Sequence, residues 1–305
     1  MTYDYRDLGK SEGVPVSREV ELGSVRDSLE LLFRYDRFSD VPIGGGGFGQ
    51  IWKAHDRLFD LPVAIKTINE ASAWRMGTSA KRSFVKEAQA GARLGRRSRN
   101  IVKVFDLGMA EDIPYFTMEW IEPRSGHHGI DISQDMGRCT LVRAKSIIFD
   151  VLDALVVAHE NKVVHSDIAP WNIVYDPSEQ IFKLSDFGLL KIMQGAIISQ
   201  GSGSLLVGGR ADFFPRDVRS GVEEISYASD VYALAVTLRT LVEGAGCLTE
   251  NGGAMLPTPG AIRVRHEGGR DAPPQLTNLL LRFIDSHTSK DTVQEFRDML
   301  QRVPS

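Results

Sequence analysis

An acid and an amide stand five residues apart in the segment VVHSDIAPWNIVYD, between two apolar runs that are typical of strands. The acid, Asp167, could accept a proton from a hydroxyl group, and the amide oxygen of Asn172 could help to hold an ion such as Mg²⁺. Positioning and charge neutralisation are most of what phosphoryl transfer needs. The segment therefore predicts a catalytic loop.

A glycine run, IGGGGFGQI, stands earlier in the chain between two strand-like segments. Glycine leaves no side chain between backbone and ligand, so the main-chain N–H groups of Gly44, Gly46 and Gly49 could close over phosphates. By itself such a run is more often a flexible turn. A Rossmann-type dinucleotide fold is disfavoured, because Gly49 is followed by a strand rather than a helix.

Lys66 ends the strand-like segment VAIK. An ammonium on a mostly apolar strand must find an anion or reach out to water. Glu87, in a helix predicted over residues 83–94, is the candidate anion. A Lys66–Glu87 pair could hold the lysine toward the phosphates of a nucleotide, and the alternative is a strand lysine that faces solvent.

The elements that must position these residues fall into two parts. Short apolar runs bounded by Gly, Pro or Asp predict strands between residues 35 and 121, with the one helix at 83–94. Beyond a connector at 123–138 the pattern turns mostly helical, and a long loop with one short helix is predicted at 244–274. Helices are predicted over residues 143–161, 230–242, 275–285 and 292–301. The fold class is α+β, with a polar N-terminal extension at 1–34.

Composition excludes several classes of protein. The 305 residues are 42% hydrophobic and 25% charged, which suits one domain in two lobes. The net charge of -4 gives no sign of the excess positive charge that nucleic-acid-binding proteins carry. Cys139 and Cys247 are too few for a disulfide framework and favour a reducing compartment. The longest apolar run, SIIFDVLDALVVAHE, is too short and too charged for a membrane span, and no signal peptide is visible, so we expect a cytoplasmic protein.

Taken in order, these motifs resemble those of the eukaryotic-type (Hanks-type) protein kinase family, of the serine/threonine kind, over roughly residues 35–301. IGGGGFGQI resembles the glycine-rich loop, VAIK the strand of the phosphate-binding lysine, HSDIAPWN the catalytic loop and SDFG the metal-binding turn. The resemblance implies a bilobal kinase fold, with a small β-rich N-lobe and hinge at 35–121 and a larger, mostly helical C-lobe at 122–305.

The resemblance also implies roles for the residues. ATP and Mg²⁺ would be the cofactors and a protein Ser or Thr the acceptor, with Asp167 as base, Lys66 and Glu87 as the catalytic ion pair, and Asn172 and Asp186 as metal ligands. The nucleotide would be bound by Ile43, Gly44, Gly46, Gly47, Phe48, Gly49, Ile51, Ala64, Lys66, Met118, Glu119 and Ile121.

Two departures lie inside the catalytic loop. Ser166 stands where the family usually has arginine, so a phosphorylated activation loop could not be held there by a guanidinium. Ala169 stands where a lysine usually lies near the transferred phosphate, and we expect slower transfer unless Lys183 or Arg210 supplies that charge. Hydroxyl groups for self-phosphorylation are offered by Ser199, Ser202 and Ser204.

Further departures lie downstream. DFFPRD resembles the Ala-Pro-Glu segment with Arg216 in place of the acid, and an Arg216–Asp291 pair is one hypothesis for a charge-swapped bridge. SDVYALAVTL resembles the central helix of the large lobe, in which Asp230 would anchor the backbone of the catalytic loop and Ala235 replaces a glycine.

Three functions follow from these patterns. An active protein kinase is favoured, because Lys66, Glu87, Asp167, Asn172 and Asp186 are all present. A pseudokinase or nucleotide-binding signalling module is the first alternative. A kinase-fold phosphotransferase acting on a small molecule is the second.

Overall fold

The computed structural model of the chain describes most of the residues beyond the N-terminal extension. They are residues 34–46, 49–68, 70–110, 113–123, 130–187, 211–248, 262–264, 268, 270–285, 288 and 290–304. The predictions made for Gly47, Phe48, Ser199, Ser202, Ser204 and Arg210 concern residues outside this set.

A six-stranded antiparallel sheet forms the first part of the fold, in the order β1-β3-β4-β6-β5, with β2 paired to β3. The register places Ile51 opposite Lys66 and Ala64 opposite Met118, so predicted nucleotide-binding residues lie side by side across the sheet. The strands are β1 (Tyr35–Asp36), β2 (Gly44–Gly46), β3 (Gly49–Asp56), β4 (Leu61–Ile68), β5 (Val104–Ala110) and β6 (Ile113–Glu119).

One long helix, α1 (Glu70–Leu94), packs against β4, β5 and β6. It buries Phe84 and Ala88, and the ring of Phe84 lies 4.9 Å from that of Phe116 on β6. The helix begins well before residue 83, where the sequence pattern placed its start. Gly77 and Thr78 are poor helix formers, which explains why the earlier turns escaped prediction.

The second part of the fold is mostly helical and surrounds α4 (Tyr227–Glu243), which is buried along nearly its whole length. Ser226 and Ser229 cap its start with reciprocal hydrogen bonds between side chain and backbone. The long helix before the catalytic loop and the first of the two C-terminal helices pack against it, and the last helix packs on these two. The remaining helices are α2 (Leu141–Glu160), α3 (Arg216–Arg219), α5 (Pro274–Leu280), continued by a π-helical turn at Leu281–Asp285, and α6 (Val293–Gln301).

Two small hairpins complete the described fold. Strands β7 (Ile173–Asp176) and β8 (Ile181–Leu184) follow the catalytic loop, and β8 packs on α2. Strands β9 (Arg263–Val264) and β10 (Arg270–Asp271) pair within the region predicted as a long loop.

The two parts are also joined beside β8. Leu184 donates its backbone N–H to the carbonyl of Asn100 at 2.8 Å and accepts from the N–H of Val102 at 3.0 Å. Residues 100–102 connect α1 to β5, so this backbone ladder links the sheet to the helical part apart from the chain connection at 120–123. The strand that leads into Asp186 is therefore fixed on both sides.

The hypothesis of an Arg216–Asp291 bridge is wrong. Asp291 is buried and pairs with Arg282 at 2.7 Å, and it also accepts hydrogen bonds from the backbone and hydroxyl of Thr288. Arg216 is exposed at the start of α3.

None of the helices in the described ranges combines the length and apolar character that a membrane crossing requires.

Candidate active site

Lys66 lies between two carboxylates in the interior of the protein. Its Nζ is 2.7 Å from Glu87 Oε1 and 2.9 Å from Asp186 Oδ1, so β4, α1 and the segment after β8 converge on one ammonium. The predicted Lys66–Glu87 contact is thus present. Burial opposes the charge of Lys66, but the carboxylates of Asp186 and Glu87 outweigh it and hold the pKa of Lys66 above its usual value. The ammonium is therefore retained.

Glu87 occupies the buried face of α1, beside Phe84 and Ala88. Burial raises the pKa of Glu87 above that of an ordinary carboxyl group, and the attraction of Lys66 offsets only part of that effect. Its second oxygen, Oε2, is buried and has no hydrogen-bond partner among the described residues. Glu87 is thus held by one strong contact, and its position depends on where α1 lies.

Asp167 and Asn172 contact each other within the catalytic loop. Asn172 donates from Nδ2 to the backbone carbonyl of Asp167 at 2.7 Å and to its carboxylate Oδ2 at 2.9 Å. Both residues are buried. Because the amide nitrogen makes both bonds, the amide oxygen of Asn172 remains as a ligand, which fits its predicted role.

Asp230, in the first turn of α4, fixes the start of the loop. Its carboxylate accepts the backbone N–H groups of His165 and Ser166, at 2.8 Å each, and lies 2.9 Å from Nε2 of His159. The predicted anchor is therefore confirmed. Because α4 is the buried centre of the helical part, these hydrogen bonds attach the catalytic loop to the rigid core.

His165 joins the catalytic loop to the segment that carries Asp186. Its Nε2 lies 2.8 Å from the carbonyl of Ser185, and its Nδ1 accepts the backbone N–H of Asp167 at 3.2 Å. Burial lowers the pKa of His165, although the charge of Asp230 acts in the other direction. A neutral ring with its proton on Nε2 satisfies both bonds. Its ring also contacts that of Phe187, at 4.6 Å between centroids.

Two residues of the site have left-handed backbone conformations. Ser166 has φ 66° and Asp186 has φ 60°, a region that non-glycine residues seldom adopt. Ser166 is buried and donates its hydroxyl to the carbonyl of His165 at 2.6 Å. The residue in place of the usual arginine is therefore a small, internally bonded one.

Glycine is required at two positions of the β2–β3 hairpin. Gly45 has φ 144°, and a Cβ there would lie 2.5 Å from the carbonyl oxygen of Gly49. A Cβ on Gly49 would lie 2.5 Å from the carbonyl oxygen of Thr67. These close backbone approaches explain the two glycines without reference to a ligand, while Gly44 and Gly45 are exposed and remain available to one.

Four apolar residues from the predicted nucleotide-binding set form one cluster. Ile51, Ala64, Met118 and Ile121 belong to it together with Val174 of β7, which comes from the helical part. Val174 was not predicted, because a single valine in a short strand carries no signal of its own. Ile43 is more exposed, at 39%, and hydrogen-bonds through its backbone N–H to Ile51.

Lys183 does not supply the missing positive charge near the phosphates. It is fully buried and contacts Glu119 Oε2 at 2.8 Å, Asp176 Oδ2 at 2.7 Å and Glu179 Oε1 at 3.2 Å. These contacts place its ammonium at the end of β6 and the β7–β8 hairpin, whereas the carboxylate of Asp186 pairs with Lys66. The carboxylate of Glu119 is therefore engaged by Lys183, and the backbone N–H of Glu119 donates to the carbonyl of Lys103 at 2.9 Å.

Trp171 packs into the helical part of the protein. Its ring meets that of Phe213 edge-on, at 5.1 Å between centroids, and both belong to the large core cluster. Ala169 and Pro170 beside it are buried. This stretch of the loop is apolar, and it carries no cation.

The donor set fits a hard divalent cation. Carboxylate and amide oxygens are the ligands that Mg²⁺ takes, and Asp186 and Asn172 offer them on neighbouring segments. The backbone N–H of Ser185, next to Asp186, donates to the carbonyl of Asn172 at 2.9 Å, which holds those segments together. The arrangement can therefore accept phosphates beside Lys66 and a hydroxyl group beside Asp167.

Comparison with known proteins agrees with this arrangement. Residues 39–292 match the family described as protein kinase domain. A probable serine/threonine-protein kinase of Clostridium perfringens is 30% identical over 260 residues, which are 84% of this chain and 35% of the relative. Serine/threonine-protein kinase PrkC of Bacillus subtilis is 33% identical over 202 residues, which are 66% of this chain and 29% of the relative. The chain thus spans about a third of the length of these relatives.

Solved structures confirm the fold. The crystal structure of the Mycobacterium tuberculosis PknI kinase domain matches 88% of this chain and 96% of its own length, with a TM-score of 0.62 at 21% identity. The α+β bilobal architecture, with a β-rich N-lobe and a helical C-lobe, is therefore confirmed. Since the family match extends from just after β1 to the residue before α6, this chain belongs to the protein kinase family.

Proposed function

We propose that this chain transfers the γ-phosphoryl group of ATP to serine or threonine hydroxyl groups of a protein. The observation that carries the proposal is the position of Lys66, buried between Glu87 and Asp186, beside a loop in which Asp167 and Asn172 are already hydrogen-bonded. A protein that only bound nucleotide would not need the positioned acid.

Each side chain has a defined role in this proposal. Lys66 binds the phosphates of ATP, and Glu87 holds Lys66 in place. Asp167 orients the acceptor hydroxyl and accepts its proton as the bond to phosphorus forms. Asn172 and Asp186 hold Mg²⁺, which, when bound, neutralises charge between the phosphates. Ile51, Ala64, Met118, Ile121 and the backbone of Glu119 enclose the adenine.

The catalytic loop lacks a cation beside the transferred phosphoryl group, and this lack limits the rate of transfer. With Ala169 in place of a lysine and Lys183 engaged behind the hinge, the described residues place no loop cation near the transferred group. Since such a cation stabilises charge in the transition state, we expect a modest turnover number.

The proposal also covers the organisation of the chain. The N-lobe and hinge take up residues 35–121, and the C-lobe takes up residues 122–305. The protein is located in the cytoplasm, and it phosphorylates itself at Ser199, Ser202 or Ser204.

The test is an incubation with Mg²⁺ and γ-labelled ATP, with and without a generic protein substrate. Asp167→Asn and Lys66→Ala are the inactive variants, and Lys53→Ala, a half-exposed lysine of β3 that pairs with Glu122, is the matched control. Label on protein that is lost in both variants and kept in Lys53→Ala supports the proposal. Stabilisation by ATP without transfer would show a pseudokinase, and transfer only to metabolites would show a small-molecule phosphotransferase.

A further inference from the structure

A cavity of about 610 Å³ lies between α1 and the helical C-lobe. Small-molecule sites in proteins typically enclose about 300–1,000 Å³, so this cavity is large enough for a ligand. Glu87 and Phe187 form part of its wall, but Asp167, Asn172 and Asp186 do not. It is therefore distinct from the place where phosphoryl transfer is proposed.

One stripe of α1 forms the N-lobe side of the cavity. Lys86, Ala90 and Arg93 lie at positions i, i+4 and i+7, which share a face of a helix. Ala90 has only a methyl group, so the middle of the stripe leaves space, while Lys86 and Arg93 are exposed on either side of it. Lys162, in the turn after α2, adds a third cation from the C-lobe.

These three cations have no acidic partner among the residues that the structure describes. Lys86 and Lys162 form no ion pair there, and Arg93 makes one long hydrogen bond, 3.4 Å, to the carbonyl of Asn161. Most other cations of the site region are paired, as Lys66 and Lys183 show. Three unpaired positive charges around one cavity raise the local concentration of anions.

The rest of the wall is suited to an apolar group. Val163, Val164 and Tyr227 line the cavity, and together with Ala90 they form an apolar surface. Tyr227 is 41% exposed, and the two valines and Ala90 are half-buried. The wall thus combines unpaired cations with an apolar surface.

We infer that this cavity is a binding site for a small amphipathic anion, with an aromatic or short aliphatic body against Val164 and Tyr227 and an acidic group among Lys86, Arg93 and Lys162. Such a ligand bridges α1 and the C-lobe. The site lies beyond the proposed catalytic function.

The probe is anilinonaphthalene sulfonate, which joins aromatic rings to a sulfonate and carries one N–H donor. Its fluorescence is titrated against the full chain with Mg²⁺ and ADP present in excess, so that the nucleotide site is filled. Three variants are compared with the unsubstituted chain. Lys86→Glu with Arg93→Glu reverses two charges, Ala90→Trp fills the space, and Arg96→Glu changes an exposed cation that does not line the cavity.

We expect saturable binding that weakens by about tenfold or more in the charge-reversed variant and in Ala90→Trp, with Arg96→Glu unchanged. Equal binding in all variants, equal weakening in Arg96→Glu, or no saturable binding would overturn the inference. Circular dichroism shows whether each variant folds, and the two cavity variants act by different means, so one remains informative if the other unfolds. Repeating the titration with Asp167→Asn separates this site from catalysis, since binding should survive even if no transfer is ever found.

Discussion

The ammonium of Lys183 lies 2.8 Å from the carboxylate of Glu119, and this contact ties the strand before Asp186 to the end of β6 at the hinge. Asp176 and Glu179 complete the group, and the ligand oxygens of these three acids lie within 4.8 Å of one another. Lys183 is the buried cation of this group, and the more exposed Arg99 and Lys103 lie 3.5 Å and 3.8 Å from Glu179.

Replacing Lys183 with methionine should destabilise the protein strongly. Removal of one partner of a buried pair leaves uncompensated charge and costs about 3–5 kcal/mol. We expect a lower urea midpoint, and part of the loss should be recovered at lower pH, where the three acids can be protonated. Lys53→Met, at a more exposed pair with Glu122, is the control and should cost about 1 kcal/mol or less. Equal midpoints for the two variants would contradict this account.

The same group predicts how stability changes in acid. Burial acts to raise the pKa of Asp176, but hydrogen bonds from Lys183 and Ser178 outweigh it and lower the pKa to about 2. A carboxyl group with a depressed folded-state pKa stabilises above its unfolded value, near 4, and loses that contribution as the pH falls toward 2. Urea titrations between pH 5 and pH 3 should therefore show a shrinking stability difference between the unsubstituted chain and Asp176→Asn. A constant difference would show that Lys183 does not act through this charge.

The catalytic loop should depend on both oxygens of Asp230. Asparagine offers one acceptor in place of two, so Asp230→Asn leaves a buried backbone N–H of His165 or Ser166 unsatisfied, at about 1–3 kcal/mol. We expect a lower melting temperature and a lower kcat with little change in the KM for ATP. Asp217→Asn, on the exposed helix α3, should leave both unchanged.

Ser166 should tolerate glycine and reject valine. Its φ of 66° is free for glycine and strained for a β-branched residue by about 1–3 kcal/mol. Ser166→Gly loses the hydroxyl bond to His165 but should retain kinase activity and most of its stability. Ser166→Val should lose both, as measured by denaturation and by labelled-ATP transfer. Equal behaviour of the two variants would show that the left-handed conformation is unimportant.

The glycine-rich hairpin offers a matched pair of substitutions. A Cβ on Gly49 meets the Thr67 carbonyl oxygen at 2.5 Å, whereas a Cβ on Gly44 meets only Ile51 side-chain atoms at 3.7 Å and beyond. Gly49→Ala should cost about 1–3 kcal/mol by overpacking and raise the KM for ATP, while Gly44→Ala should change stability little. Thermal denaturation with and without Mg²⁺ and ATP measures both effects.

Motif residues were predictable because their chemistry and order are both in the sequence. The Lys66–Glu87 contact follows from a lysine on an apolar strand and an acid on the neighbouring helix. The Asp230 anchor was implied by the resemblance of SDVYALAVTL to the central helix of the family. Lys183 was one of two cations considered as a replacement for the missing lysine, and the structure engages it with three acids instead. Which way a side chain points from a four-residue strand is not revealed by the sequence.

The pairing of Asp291 was missed for a different reason. Its partner, Arg282, belongs to a π-helical turn that follows α5, and an irregular turn shifts which residues face one another. Val174 and His165 were also not singled out. Their importance depends on neighbours from other segments, which the local pattern does not contain.

The backbone ladder between Leu184 and residues 100–102 has a mechanical consequence. Together with the chain connection at 120–123 it attaches the two lobes at two separate places. Two fixed points define an axis, so opening of the cleft becomes a rotation about the line through them. Displacement then grows with distance from that line: β1 and β2, on the side of the sheet away from β5 and β6, travel further than the strand before Asp186, which carries one of the fixed points.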